Sequence, residues 1–296
     1  MTSTTGRPLP MSDTATAALW MIGAIASFTT MAVAGRAVSL DHDTFELMFY
    51  RSLVGIVVVV GFATLTERLG LIGRRRLGLH LVRNVSHFTG QNLWFFAITA
   101  APLAQVFALE FTAPLWALVL APLFLNEAIT RSRALAALVG FVGILVVTQP
   151  FSEPLTPGVI AAAGAAIGFA GSAIFTRRLT RTENVLTILF WLTVMQAVFG
   201  LVTAAWDGDI ALPTAAALPW LVLIGLAGLL AHLCLTSALR LAPAAVVMPV
   251  DFVRLPLIAV IGWLFYAEGF DAAVLLGGGL IVAANWVNLR IEARRR

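Results

Sequence analysis

The sequence predicts an all-α polytopic membrane protein of ten transmembrane helices, built as two inverted five-helix repeats with both termini cytoplasmic. Three observations lead there. First, the 296 residues are 60% hydrophobic and only 11% charged, with mean hydropathy +0.94, whereas a soluble domain carries about 25% charged residues to cover itself. Second, one long stretch occurs twice. Adding 141 to Ala97–Glu127 gives Ala238–Glu268, and ten of the 31 positions are identical, among them Ala101/Ala242, Pro102/Pro243, Phe111/Phe252 and Glu127/Glu268. Glu110/Asp251 keeps a carboxylate in the middle of each apolar run, and the same offset pairs Gly23/Gly164, Phe28/Phe169, Arg36/Arg177 and Phe49/Phe190. Third, the arginines fall in alternate loops.

Spans of about 20 apolar residues are what a bilayer requires. Ten such spans run over 16–38, 45–65, 79–99, 102–125, 131–149, 157–177, 184–205, 216–239, 243–266 and 271–290. Shorter alternating segments would be needed for a membrane barrel. Ala32-Val33-Ala34 resembles a signal-peptide cleavage site, but the match of the first span to the sixth argues that it is retained. The units are then a tail at 1–15, repeats at 16–149 and 157–290, and a basic tail at 291–296.

All 19 basic residues are Arg, and 16 of them lie in the termini and the even-numbered loops. The odd-numbered loops hold only Arg36 and collect Asp41, Asp43, Glu153, Asp207, Asp209 and Asp271. The positive-inside rule therefore places both termini in the cytoplasm. An odd number of helices per repeat makes the second copy enter the membrane from the opposite side, which is the arrangement of transporters that rock around a midplane site. Gly164, Gly168 and Gly171, Gly140 and Gly143, and Gly277–Gly279 fit close helix packing.

Charged groups inside a bilayer are costly and face a cavity or a partner. Arg51, Glu110, Asp251 and Arg254 are the four in question. Arg51 and Glu110 lie at matching depths and could pair, and Asp251 and Arg254 are spaced i, i+3 on one helix face. Two readings stay open for them: ion pairs that fix helix register, or a lining for the pathway that couples to protons or to a charged substrate. In the third span Arg83, His87 and Gln91 recur every four residues, with Trp94 three further on, and so share one face. In the eighth span His232, Thr236 and Arg240 repeat that step, and His232 corresponds to Gln91. Two such stripes suggest a shared cavity lined by His87, Gln91, Trp94 and His232, with Phe107, one turn before Glu110, as a further aromatic contact. Glu127 is expected to stabilise the N-terminus of the fifth span.

Several classes are excluded. Cys234 is the single cysteine, so there is no intrachain disulfide and no cysteine-based metal site. No nucleophile motif, metal cluster or nucleotide-binding loop is present; no enzyme activity, cofactor, metal or nucleic-acid partner is expected. The expected partners are a small-molecule substrate and membrane lipid, with protons as candidate coupling ion.

Ala101-Pro102, Pro114, Asn126-Glu127 with Arg131 and Arg133 behind it, and then Gly140 and Gly143 resemble the EamA-type repeat. Ala242-Pro243, Glu268 and the glycines from Gly277 resemble it again, and Arg51 matches that repeat's usual basic residue. The resemblance covers roughly 16–290 and implies the drug/metabolite transporter superfamily, a ten-helix bundle of the bacterial inner membrane working by alternating access. Among its branches the chain looks most like exporters of aromatic amino acids and related amphipathic compounds. An exporter of cationic drugs using Glu110 and Asp251 is the alternative, and an intramembrane enzyme a remote one.

Overall fold

The computed structural model describes residues 13–38, 43–101, 103–148, 156–206, 210–257, 260, 264 and 272–294. Among these no strand occurs. The helices are α1 (Asp13–Val38), α2 (Thr44–Leu65), α3 (Leu77–Ala100), α4 (Leu103–Glu110), α5 (Ala113–Leu125), α6 (Arg131–Thr148), α7 (Pro157–Leu179), α8 (Val185–Ala204), α9 (Leu218–Leu241), α10 (Ala244–Val247) and α11 (Ala272–Arg294). Glu268, Asp271 and seven residues of the ninth span lie outside the described residues.

Local chemistry sets where these helices begin and end. Asp43 accepts from Glu46 N at 2.8 Å while Glu46 reaches back to Asp43 N, a capping box that starts α2. Asn184 caps α8 through Thr187 N at 2.8 Å. Asn126, in the left-handed region at φ 55°, closes α5. Helices α3 and α9 both stop at an Ala-Pro pair, Ala101-Pro102 and Ala242-Pro243, because proline disfavours helical backbone in the residue before it. Asp43→Ala removes the box and is expected to cost about 1 kcal/mol in thermal unfolding.

Helix packing obeys the 141-residue repeat. Helix α1 packs along α9 and α3 along α7, two pairings that the repeat exchanges; α2 packs on α8 and α6 on α11, each pairing related to itself. Small residues allow the close approach. A methyl group on Gly168 would lie 2.8 Å from the Cα of Gly90 and from Ser86 O, and one on Gly143 would lie 2.8 Å from Gly277 O. Outward faces are apolar, with Val57, Leu123, Val202 and Leu276 all exposed. Among the described residues, five helices (α1, α2, α7, α8 and α9) have the length and composition to cross a membrane.

The continuous fourth span expected at 102–125 is in fact broken. Helix α4 ends at Glu110, Phe111 and Thr112 form a turn, and α5 starts anew at Ala113. Pro114 has no N–H to bond the carbonyl of Glu110, so the i to i−4 ladder fails there. The second copy is also irregular at the related place: after α10 the chain runs as a 3-10 segment over Met248–Val253, with Pro249 inside it. Subtracting 141 from that segment gives 107–112. Both repeats thus leave regular α-helix where they carry their central acid.

Candidate substrate cavity

A cavity of about 90 Å³ lies where the broken segments meet. Eighteen residues line it, and fourteen form seven repeat-related pairs. From α1 and α7 come Phe28/Phe169, Met31/Ser172 and Ala32/Ala173; from α3 and α9 come Gln91/His232 and Trp94/Leu235; from the broken segments come Glu110/Asp251 and Ala113/Arg254. The cavity therefore straddles the repeat axis. Binding sites of inverted-repeat transporters form at this kind of place, where discontinuous helices expose backbone and side chains to a shared space.

Its floor is an ion-pair cluster. Arg254 bonds Glu110 Oε1 and also donates to Asp251 Oδ2 at 3.0 Å, so one guanidinium bridges the central acids of both repeats. Trp94 Nε1 donates to Glu110 Oε2 at 2.6 Å, which engages both oxygens of that carboxylate. The guanidinium carbon of Arg254 stands 5.0 Å from the Phe111 ring centroid and 5.5 Å from that of Phe28, a cation–π setting strengthened by exclusion of water. With both acids ionised, two carboxylates against one guanidinium carry one negative charge in excess. Among the described residues, Asp251 Oδ1 and Arg254 Nε are buried without a hydrogen-bond partner.

The opposite wall holds two histidines. His87 and His232 meet edge to face with centroids 4.6 Å apart. The repeat-related Phe28 and Phe169 pack on them, at 5.6 Å from His232 and 6.3 Å from His87. Arg83 holds His232 from behind: its Nη2 approaches Nδ1 at 3.4 Å, its Nε donates to Thr176 at 3.1 Å and its Nη1 to Asn84 at 2.9 Å. A guanidinium can only donate, so His232 Nδ1 accepts and the ring proton sits on Nε2. Nε2 of both histidines is buried and has no hydrogen-bond partner among the described residues.

Of the residues singled out from sequence, His87, Gln91, Trp94, His232, Glu110, Asp251 and Arg254 all line this one space. The i, i+3 pairing of Asp251 with Arg254 is present. The expected Arg51–Glu110 pair is not. Glu110 belongs to Arg254, whereas Arg51 turns away from the cavity and bonds the amide oxygen of Gln91. Phe107 stands one layer back, 6.3 Å from the Trp94 ring and 6.4 Å from that of Phe111, and Phe111 occupies the lining position instead. Glu127 accepts from Arg177 Nε at 3.0 Å and Arg181 Nη2 at 3.3 Å, tying the ends of α5 and α7 together. Phe28, Phe169, Met31 and Ser172 are lining residues that the sequence reading does not single out. Their signal is the repeat offset itself, which aligns Phe28 with Phe169.

Paired broken helices around a mixed apolar and charged cavity, within an apolar-faced bundle, define a polytopic membrane protein of the transporter class. The chain belongs to the EamA-like transporter family, whose model matches it twice, over residues 15–149 and 156–290. It is 32% identical over 284 residues to a riboflavin transporter of Rhizobium johnstonii, covering 94% of this chain and 92% of that protein. It is 27% identical to an S-adenosylmethionine uptake transporter of Rickettsia bellii, covering 90% of each. A pseudopaline exporter of Pseudomonas aeruginosa is 28% identical, with 89% of this chain and 93% of that one aligned. A solved crystal structure shares the fold at a TM-score of 0.79, with 18% identity over 95% of this chain and 98% of its own. The protein is accordingly a multi-pass transporter of the bacterial inner membrane, not an enzyme.

Proposed function

We propose that the chain is a secondary transporter or facilitator that carries a small amphipathic metabolite by alternating access, with an aromatic or other neutral amino acid as substrate class and export as direction. The repeats at 16–149 and 157–290 are the two bodies that rock, with both termini in the cytoplasm. The observation that carries this reading is the cavity on the repeat axis, lined by aromatic rings and by four polar atoms, His87 Nε2, His232 Nε2, Asp251 Oδ1 and Arg254 Nε, that have no hydrogen-bond partner among the described residues. The substrate's ring lies among Phe28, Trp94, Phe111 and Phe169. Its ammonium group meets the excess negative charge at Asp251 Oδ1, and His87, Gln91 and His232 bond its remaining polar atoms. Glu110 and Asp251 are the groups through which protons couple.

A flat heteroaromatic substrate is a second reading, favoured by the 32% identity to a riboflavin transporter across 94% of this chain. Counterflow into liposomes holding the purified protein separates the two. Labelled phenylalanine or tryptophan is expected to accumulate above empty liposomes, and Trp94→Ala and His87→Ala to reduce that by at least about tenfold, the equivalent of ~1.4 kcal/mol. Accumulation of labelled riboflavin with none of either amino acid would give the site to the heteroaromatic reading.

A further inference from the structure

Two guanidiniums, those of Arg51 and Arg83, are buried in this bundle, and among the described residues neither meets a carboxylate. Arg83 is nonetheless satisfied, since each of its three nitrogens has a neutral acceptor. Arg51 is not. Among the described residues it bonds only through Nη1, to Gln91 Oε1 and to Met48 Sδ at 3.7 Å, and its Nε and Nη2 make no hydrogen bond. A buried charge without a counter-charge is costly unless something supplies one.

The surroundings of Arg51 are shaped to receive that counter-charge. Gly225 and Gly228 let α9 close on α2; a methyl group on Gly228 would lie 3.0 Å from Arg51 Nη2. Beside the guanidinium is a second cavity of about 20 Å³, walled also by Ser52, Thr193, Gln196 and His232. A water needs about 10–15 Å³ on this measure, so the space takes one small polar group and no whole metabolite. His232 faces both this space and the main cavity. Gln91 lines the main cavity while its amide oxygen holds Arg51.

We propose that Arg51 and this side cavity form an anion subsite, entered past Gln91 and His232, which takes the carboxylate of an amphipathic substrate whose body lies in the main cavity. The proposal rests on the amphipathic-metabolite reading above. Gln91 Oε1 holds Nη1 of the guanidinium when substrate is absent and swings aside on binding, admitting the carboxylate to Nε and Nη2. A planar guanidinium with two unused donors suits a carboxylate, which it can grip through parallel bonds. The cation-facing Asp251 and the anion-facing Arg51 then select a zwitterion that carries an apolar group.

The test measures ligand-induced thermal shift of the purified full chain in detergent with phenylalanine, phenylalaninamide, acetate, acetamide and chloride. Phenylalanine is expected to bind at least about tenfold more tightly than phenylalaninamide, as a charge-assisted bond implies. Arg51→Gln should abolish that preference and Arg51→Lys retain part of it. Gln91→Glu places a carboxylate permanently on Arg51, so it should raise the melting temperature of the empty protein and also abolish the preference. This variant keeps the test open if Arg51→Gln does not fold. Equal binding of acid and amide, with Gln91→Glu no more stable than the parent, overturns the subsite and leaves the transport reading intact. If neither aromatic compound binds, the amino-acid reading fails and the small probes decide: an Arg51-dependent shift with acetate and not acetamide upholds the subsite, and no such shift overturns it. Chloride matching acetate would assign the place to a free inorganic anion and overturn its assignment to substrate.

Discussion

Replacing Arg254 by alanine is expected to destabilise the protein by about 3–5 kcal/mol, the usual cost of leaving a buried partner charge uncompensated. Two carboxylates depend on this one guanidinium, Glu110 through a direct ion pair and Asp251 at 3.0 Å. Little water reaches them, since the side chains of Glu110 and Asp251 are 7% and 19% exposed. The damage should come mostly from the stranded charges rather than from lost attraction. Combining Arg254→Ala with Glu110→Gln and Asp251→Asn should therefore recover most of the lost stability, although it removes three ionic groups. Thermal unfolding of the purified variants in detergent measures both effects. A loss below about 1 kcal/mol for Arg254→Ala, or a triple variant weaker than the single one, would mean that the cluster is not electrostatically coupled.

Gly168→Val is expected to have the next largest effect, by a different route. Helices α3 and α7 approach so closely that the new Cβ alone meets Ser86 O, Gly90 Cα and Gly90 N, at 2.8–2.9 Å. All three are backbone atoms, so no rotamer change relieves the clash. Overpacking of this kind costs about 1–3 kcal/mol and occasionally more. Because α3 carries His87, Gln91 and Trp94, a shift of the helix should also displace the cavity wall. Reduced melting temperature together with lost counterflow is the expected result. Gly61→Ala, on α2 with nothing within 4 Å of the added carbon, is the control and should lower neither, since alanine favours a helix over glycine.

Most of the architecture is legible in the sequence because a membrane imposes strong rules. Span length, arginine placement and the tandem repeat each reflect one of them, and the repeat alone locates both central acids. The helix break at Phe111–Thr112 is not among the sequence expectations, although Pro114 carries its signal: a proline within an apolar run of 24 residues, over 102–125, removes the bond to Glu110 O. Partner choice is less legible. Arg51 and Glu110 lie at matching depths, but depth does not give azimuth. Arg254 reaches Glu110 from the other repeat, and Gln91 takes Arg51 instead. Phe28 and Phe169 look like any packing phenylalanines along their own helices. Only the repeat axis, applied to the histidines as well, places them together.

The most direct test of alternating access uses Ser172→Cys, a near-isosteric change at a 5% exposed residue lining the cavity, in a chain whose native Cys234 is replaced by serine. A membrane-impermeant maleimide is applied to right-side-out and to inside-out vesicles. Transport by a rocking inverted repeat predicts that the introduced thiol is modified from both sides, and that a transported substrate protects it from both. Modification from one side only, at every temperature and substrate concentration tried, would contradict alternating access through this cavity.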